Sequence, residues 1–123
     1  MLVVVALLAF TVVLFPKQGK GQARVTAAQT QLATFATAFD AFQVDTGSYP
    51  AAAPMSTKGL YTLVTAPHGV TNWKGPYLKD VPLDPWGNPY LCESPGRHNV
   101  GAYDLVCSGP DGKVGTRDDI RNW

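Results

Sequence analysis

Met1 to Phe15 reads MLVVVALLAFTVVLF, with Thr11 the only polar side chain. An apolar run of this kind predicts a helix with no polar face. From about Gln22 to Phe42 the pattern changes. Val25, Ala28, Leu32, Phe35, Phe39 and Phe42 recur at steps of three and four, which places them on one stripe of an α-helix. Gln29, Gln31, Thr34, Thr37 and Asp40 fall on the other faces. The stripe is expected to be a core face covered by the protein's own sheet. A coiled coil would need more heptads and charged flanks. The helix is expected to stop within Val44-Asp45-Thr46-Gly47-Ser48-Tyr49-Pro50, which carries Gly and Pro breakers.

The apolar run admits three readings. Fifteen helical residues span roughly 22 Å, short of a hydrocarbon core of roughly 30 Å. A signal peptide has a comparable apolar region, but no basic segment precedes this run and no A-x-A site follows it. A buried soluble helix would need cover on every side, more than a small domain supplies. The favoured reading is a membrane helix whose first few residues are missing from the chain. Pro16 kinks a helix without ending it, and Gly19 and Gly21 make residues 17–21 a weak point. The expected organisation is an apolar segment over 1–21 that runs directly into the core helix of a head over 22–123.

Residues 50–123 hold nine of the ten prolines, so long helices are not expected there. A short helix is expected over Thr57–Val64, with Leu60, Leu63 and Val64 on one side. Residues 67–85 read as loop, with Trp73, Tyr77 and Leu78 as apolar plugs. Strands are expected near Tyr90–Glu93 and Ala102–Cys107, joined by a turn at Ser94-Pro95-Gly96, and a third near Ile120–Trp123. The fold class is α+β: one long helix packed on a small three-stranded antiparallel sheet.

The chain has 123 residues, 15% of them charged, and a formal net charge of +1. That length suits one domain beside the apolar segment, and the near-neutral balance supplies no basic field for nucleic acid. Cys92 and Cys107 allow either one disulfide or two buried thiols. No Cys/His cluster suggests zinc. His68 and His98 lie apart in loop-like sequence and read as solvated.

The remaining chemistry lies in Ser108–Asp119, which places Asp111, Asp118 and Asp119 in a stretch punctuated by Gly109, Gly112 and Gly115. Glycines let the backbone fold one acid back towards the others. Three gathered carboxylates then call for a cation, and an all-oxygen set completed by carbonyls suits Ca²⁺. The spacing is not that of an EF-hand. The alternative is a solvated turn in which Lys113 and Arg117 screen the acids.

The block Asp84-Pro85-Trp86-Gly87-Asn88-Pro89-Tyr90 is preceded by GPYLKDVPL and followed by a Ser-Pro-Gly turn. With GLYTLV at 59–64, and SGPDG and DDIRNW near the end, it closely resembles the major pseudopilins of the bacterial type II secretion system, a type IV pilin-like family. The resemblance covers essentially the whole chain. It implies a long helix whose second half packs on a three-stranded sheet. It also implies a structural Ca²⁺ bound by Asp111, Asp118 and Asp119, with the carbonyls of Ser108 and Val114 as further ligands. The implied role is that of a subunit polymerising through its N-terminal helices into a periplasmic pseudopilus that supports export of folded proteins. Implied partners are copies of the chain, minor pseudopilins, the inner-membrane assembly platform and the membrane itself, with no nucleic acid. Methylation is an implied modification.

The family's mature start and basic leader have no counterpart before Met1, so the start reads as mis-set or trimmed. Lys17, Lys20 and Arg24 would by charge alone hold the head in the cytoplasm, whereas the resemblance places it in the periplasm, with the leader setting orientation. Two other functions compete with this one. One is a related pilin-like subunit for adhesion or DNA uptake; by resemblance the acidic loop and the DPWGNPY block argue for the secretion family instead, and the charge gives no sign of a DNA groove. A membrane-tethered enzyme would draw on the aspartates, yet the chain offers no nucleophile–base set, no phosphate loop and one glutamate, Glu93.

Overall fold

The computed structural model describes residues 20–123. The apolar run, Pro16 and the proposed division near residue 21 lie largely outside the described residues. The first described element is α1, Lys20–Thr46, which already includes Gly21. It therefore starts before and ends after the predicted 22–42. Among the described residues no helix is long and apolar enough to cross a membrane.

The stripe faces inward as its spacing requires. Ala28, Leu32, Phe35, Phe39 and Phe42 are buried, joined by Ala38, while Val25 at the top is half-buried. Aromatic pairs dominate this core. Phe39 stacks on Tyr103 with ring centroids 4.4 Å apart, and Phe35 meets Tyr90 edge-on at 4.9 Å. Such pairs add about 0.5–1.5 kcal/mol each beyond the area they bury. The helix stops at the expected breakers. Thr46 Oγ1 donates to the Phe42 carbonyl at 2.8 Å, and the Gly47 amide closes the last turn on Gln43 O.

The sheet has four strands in an antiparallel meander, not three: β1 Ala52–Ser56, β2 Leu91–Ser94, β3 Asp104–Cys107 and β4 Ile120–Arg121, in that spatial order. The unpredicted strand is β1. Its sequence, AAPMS, has no β-branched residue and contains Pro54, and Pro argues against a strand everywhere but at an edge. β1 is an edge strand, and its register against β2 shifts between Ala52 and Ser56. The three predicted strands are present: β2 keeps its length but starts one residue later, and β3 and β4 are shorter than expected. The link between β2 and β3 is also not the tight Ser-Pro-Gly turn but a longer loop through residues 95–103. That loop wraps around buried Asp104, which accepts the amides of Arg97, His98 and Asn99 at 2.9–3.0 Å.

A one-turn helix, α2 (Lys58–Tyr61), replaces the longer predicted segment and leads into turns that bury Leu60 and Leu63. Val64 remains half-buried. Gly59 sits directly under Cys92 Sγ and Ala52 Cβ, and any side chain there would collide with both. Trp73, Tyr77 and Leu78 plug the core edge as expected. The Trp73 indole donates to Thr62 O at 2.9 Å, and the Tyr77 hydroxyl donates to Asp45 at 2.7 Å.

The cysteines are two buried free thiols. The register explains why. Cys92 lies opposite Leu105 and Cys107 opposite Ile120, so the pair is offset diagonally across β2 and β3. Diagonal positions stand about 7–8 Å apart, beyond the usual Cα separation of a disulfide.

Candidate metal centre

The loop from Ser108 to Asp119 joins β3 to β4. Its first limb leaves the buried end of β3, where Cys107, Ser108 and Gly109 are all buried. Gly109 has φ +75°, a left-handed conformation that favours glycine. A Cβ there would approach the Asp118 carbonyl to 2.5 Å. Gly109 is thus where the outgoing limb passes against the returning one, and only a residue without a side chain lets them cross.

That crossing brings the three predicted acids together. Carboxylate oxygens of Asp111, Asp118 and Asp119 all lie within 4.8 Å of one another at the surface. Short internal bonds shape the group. Asp118 Oδ2 accepts the Asp111 amide at 3.2 Å, Asp111 Oδ1 accepts the Lys113 amide at 2.9 Å, and Asp119 Oδ2 accepts the Gly115 amide at 2.6 Å. The Thr116 hydroxyl lies between two of the acids, 2.6 Å from Asp118 Oδ1 and 3.3 Å from Asp119 Oδ1. The Thr116 bond, with amides from the loop, holds the Asp118 carboxyl below the ordinary range against the opposing effect of desolvation. It stays ionised and available as an oxygen ligand.

The other two predicted ligands are placed differently. Ser108 is buried at the root of the first limb. Val114 stands at the outer bend, 45% exposed, beside Gly115 and Asp119 at the rim of a surface cleft. Sequence reasoning allowed Lys113 and Arg117 to screen the acids. Among the described residues neither Lys113 nor Arg117 makes a direct ion pair with these acids; the close contacts between acidic and basic side chains are Arg97–Glu93 and His98–Asp104. His98, expected to be solvated, is half in contact: its Nδ1 lies 3.1 Å from Asp104 and its ring stacks on Trp123 at 4.2 Å.

The DPWGNPY block forms the floor beneath this loop. Buried Asp84 accepts the Trp86 and Asn88 amides on Oδ1 at 2.9 and 2.8 Å, and its own amide donates to Asn88 O at 2.8 Å. Its other oxygen accepts the Cys107 thiol at 3.1 Å. Burial, reinforced by that bond, raises the Cys107 pKa to about 12. Asn88 Nδ2 donates to Gly109 O at 3.2 Å. Neither Asn88 nor Thr116 stood out as a site residue in the sequence. The signal available was Asp followed by Pro and Gly, the composition of a side-chain-closed turn.

A long N-terminal helix packed on an antiparallel sheet is an architecture shared with known proteins. The family described as Type II secretion system (T2SS), protein G matches residues 16–123. The chain belongs to this family. The type II secretion system core protein G of Escherichia coli K12 is 39% identical over 99% of this chain and 83% of its own length. The protein of the same name from Pseudomonas aeruginosa is 40% identical over 98% of the chain and 86% of its own length. A solved structure, the major pseudopilin from the type 2 secretion system of enterohaemorrhagic Escherichia coli, superposes with a TM-score of 0.70 at 29% identity. It covers 85% of this chain and 90% of that one. As a member of the protein G family, the chain has the role of a pseudopilus subunit in secretion.

Proposed function

We propose that this pseudopilin polymerises through its N-terminal helix into the periplasmic pseudopilus, and that Ca²⁺ ties the C-terminal loop of its head. Asp111, Asp118, Asp119 and the carbonyls of Ser108 and Val114 are the ligands. The observation that carries the ion is the gathering of three carboxylates within 4.8 Å, with no basic side chain of the described residues paired to them. Like charges so close repel unless a cation lies between them, and an all-oxygen set in a flexible loop is the donor chemistry of Ca²⁺. The ion supplies cohesion, and the chain's own residues shape and orient the loop.

Assembly is supported by the outward face of α1. Ala23, Ala27, Thr30, Thr34, Thr37 and Ala41 recur there at steps of four and three, all exposed and none charged. A surface helix ordinarily turns charge outward. The hydroxyls of Thr30, Thr34 and Thr37 donate to the carbonyls four residues back at 3.0–3.1 Å. The face therefore offers methyl groups to a neighbouring copy. The apolar residues 1–15 serve as the inner-membrane anchor before assembly and as fibre core afterwards. Minor pseudopilins and the assembly platform are the remaining partners.

The ion is tested by melting the full chain in detergent micelles with CaCl₂ or with EGTA. At 100-fold excess over the dissociation constant, binding adds about 2.7 kcal/mol, or roughly 10 °C for a head of this size. Asp118→Ala is expected to melt at the same temperature in both solutions. Equal melting of the unmodified chain in CaCl₂ and EGTA would remove the ion from the proposal.

A further inference from the structure

The cation loop is gripped from outside at two neighbouring points. Asp84 Oδ2 accepts the Cys107 thiol at 3.1 Å, and Asn88 Nδ2 donates to Gly109 O at 3.2 Å. Ser108 lies between these two points and is itself buried. Gly109 is also where the two limbs cross, against the Asp118 backbone. The Asn88 side chain therefore bears on the residue at which the Asp111 limb crosses the Asp118 backbone.

Asn88 is itself rigidly mounted. Its amide and carbonyl are both engaged by Asp84, at 2.8 Å each, in a turn that also captures the Trp86 amide. These bonds use the Asn88 backbone. The side-chain amide is thus the part of Asn88 that reaches the loop, and it can be removed while the backbone bonds of the turn are kept.

We infer that Asn88 is a positioning residue for the cation site: it holds the Gly109 carbonyl so that the Asp111 and Asp118 limbs stand at binding distance before the ion arrives. The inference rests on the calcium reading above. Its physical basis is preorganisation. A loop already ordered by the fold loses less conformational freedom on binding, so the same ligands bind more tightly. Outer partners bonded directly to metal ligands commonly contribute tenfold to a hundredfold in affinity; Asn88 acts one step further out, through Gly109, so the lower end of that range is expected.

The test is calorimetric titration of CaCl₂ into the full chain in detergent micelles, unmodified and as Asn88→Ala, with the melting temperature of each in EGTA. The expected result is a dissociation constant about tenfold weaker for Asn88→Ala and a smaller calcium-dependent rise in melting temperature. Should Asn88→Ala not fold, Asn88→Gln, which keeps a misplaced amide donor, is titrated instead and is expected to bind more weakly than the unmodified chain. An unchanged dissociation constant, even with a lower melting temperature in EGTA, would make Asn88 merely structural and overturn the inference alone. Absence of calcium binding by the unmodified chain would overturn both the inference and the calcium reading.

Discussion

Asp104 stands directly opposite Glu93 across β2 and β3, a like-charge pairing that destabilises a sheet unless each acid has its own compensating partners. Each does. Glu93 meets Arg97 Nε at 3.2 Å, and Asp104 takes three loop amides and the His98 ring. Burial pushes the Asp104 carboxyl up, and these bonds outweigh it, so its pKa is lowered. Because the folded value lies below the unfolded one, the stabilisation is fully present above about pH 4 and is lost as pH falls through the folded value. Asp118, lowered chiefly by the Thr116 hydroxyl, has the same sign. The melting temperature of the head should therefore drop in acid. Asp104→Asn should melt lower at neutral pH, by about 1–3 kcal/mol, and lose less on acidification, as followed by circular dichroism across pH 7 to 3.

At the level of elements, α1 packs against β3 and β4, while α2 leans on β1 and β2. Phe39 is the centre of the first contact, fully buried and stacked on Tyr103, which also meets Tyr49 edge-on at 4.9 Å. Phe39→Ala should cost about 3–5 kcal/mol, measured by denaturant unfolding with an unchanged slope. The helix stripe was legible because its period is local: six apolar positions repeat regardless of what covers them. β1 was not, since its strand character comes from pairing with β2 and not from AAPMS itself. The β2–β3 connection was misjudged for a related reason. Its length is set by the need to surround Asp104 with amides, which becomes visible only when residues 97–99 come round to position 104. The three acids of the site were legible by type and glycine spacing. Thr116 and Asn88 were not, because a hydroxyl or amide becomes part of a site by where the chain carries it.

At the scale of the whole molecule, the proposed assembly face and the core lie on one element. The inner face of α1 forms the core of the head, and its outer face is a row of alanine and threonine methyl groups. A charge on the outer row touches nothing in the isolated head. Ala27→Lys with Thr34→Lys should leave the melting temperature within about 0.5 kcal/mol of its original value and abolish pseudopili seen by electron microscopy. Filaments of normal length and number from this variant would move the subunit contact elsewhere. The carboxylate loop lies beside the same helix: Gly21, Val25 and Gln29 share a cleft of about 520 Å³ with Trp86, Arg117 and Asp118.

Residue order alone was sufficient for the long helix and its buried stripe, for the α+β class, for three of the four strands and for the identity of the clustered acids. Each of these depends on short-range periodicity or on residue type, which survives without knowledge of neighbours. Folding in three dimensions was needed for the edge strand, for the free state of Cys92 and Cys107, and for the crossing at Gly109 that converts scattered aspartates into one group. Those features depend on register and on contacts between segments distant in the chain, where a shift of one residue reverses which side chains meet.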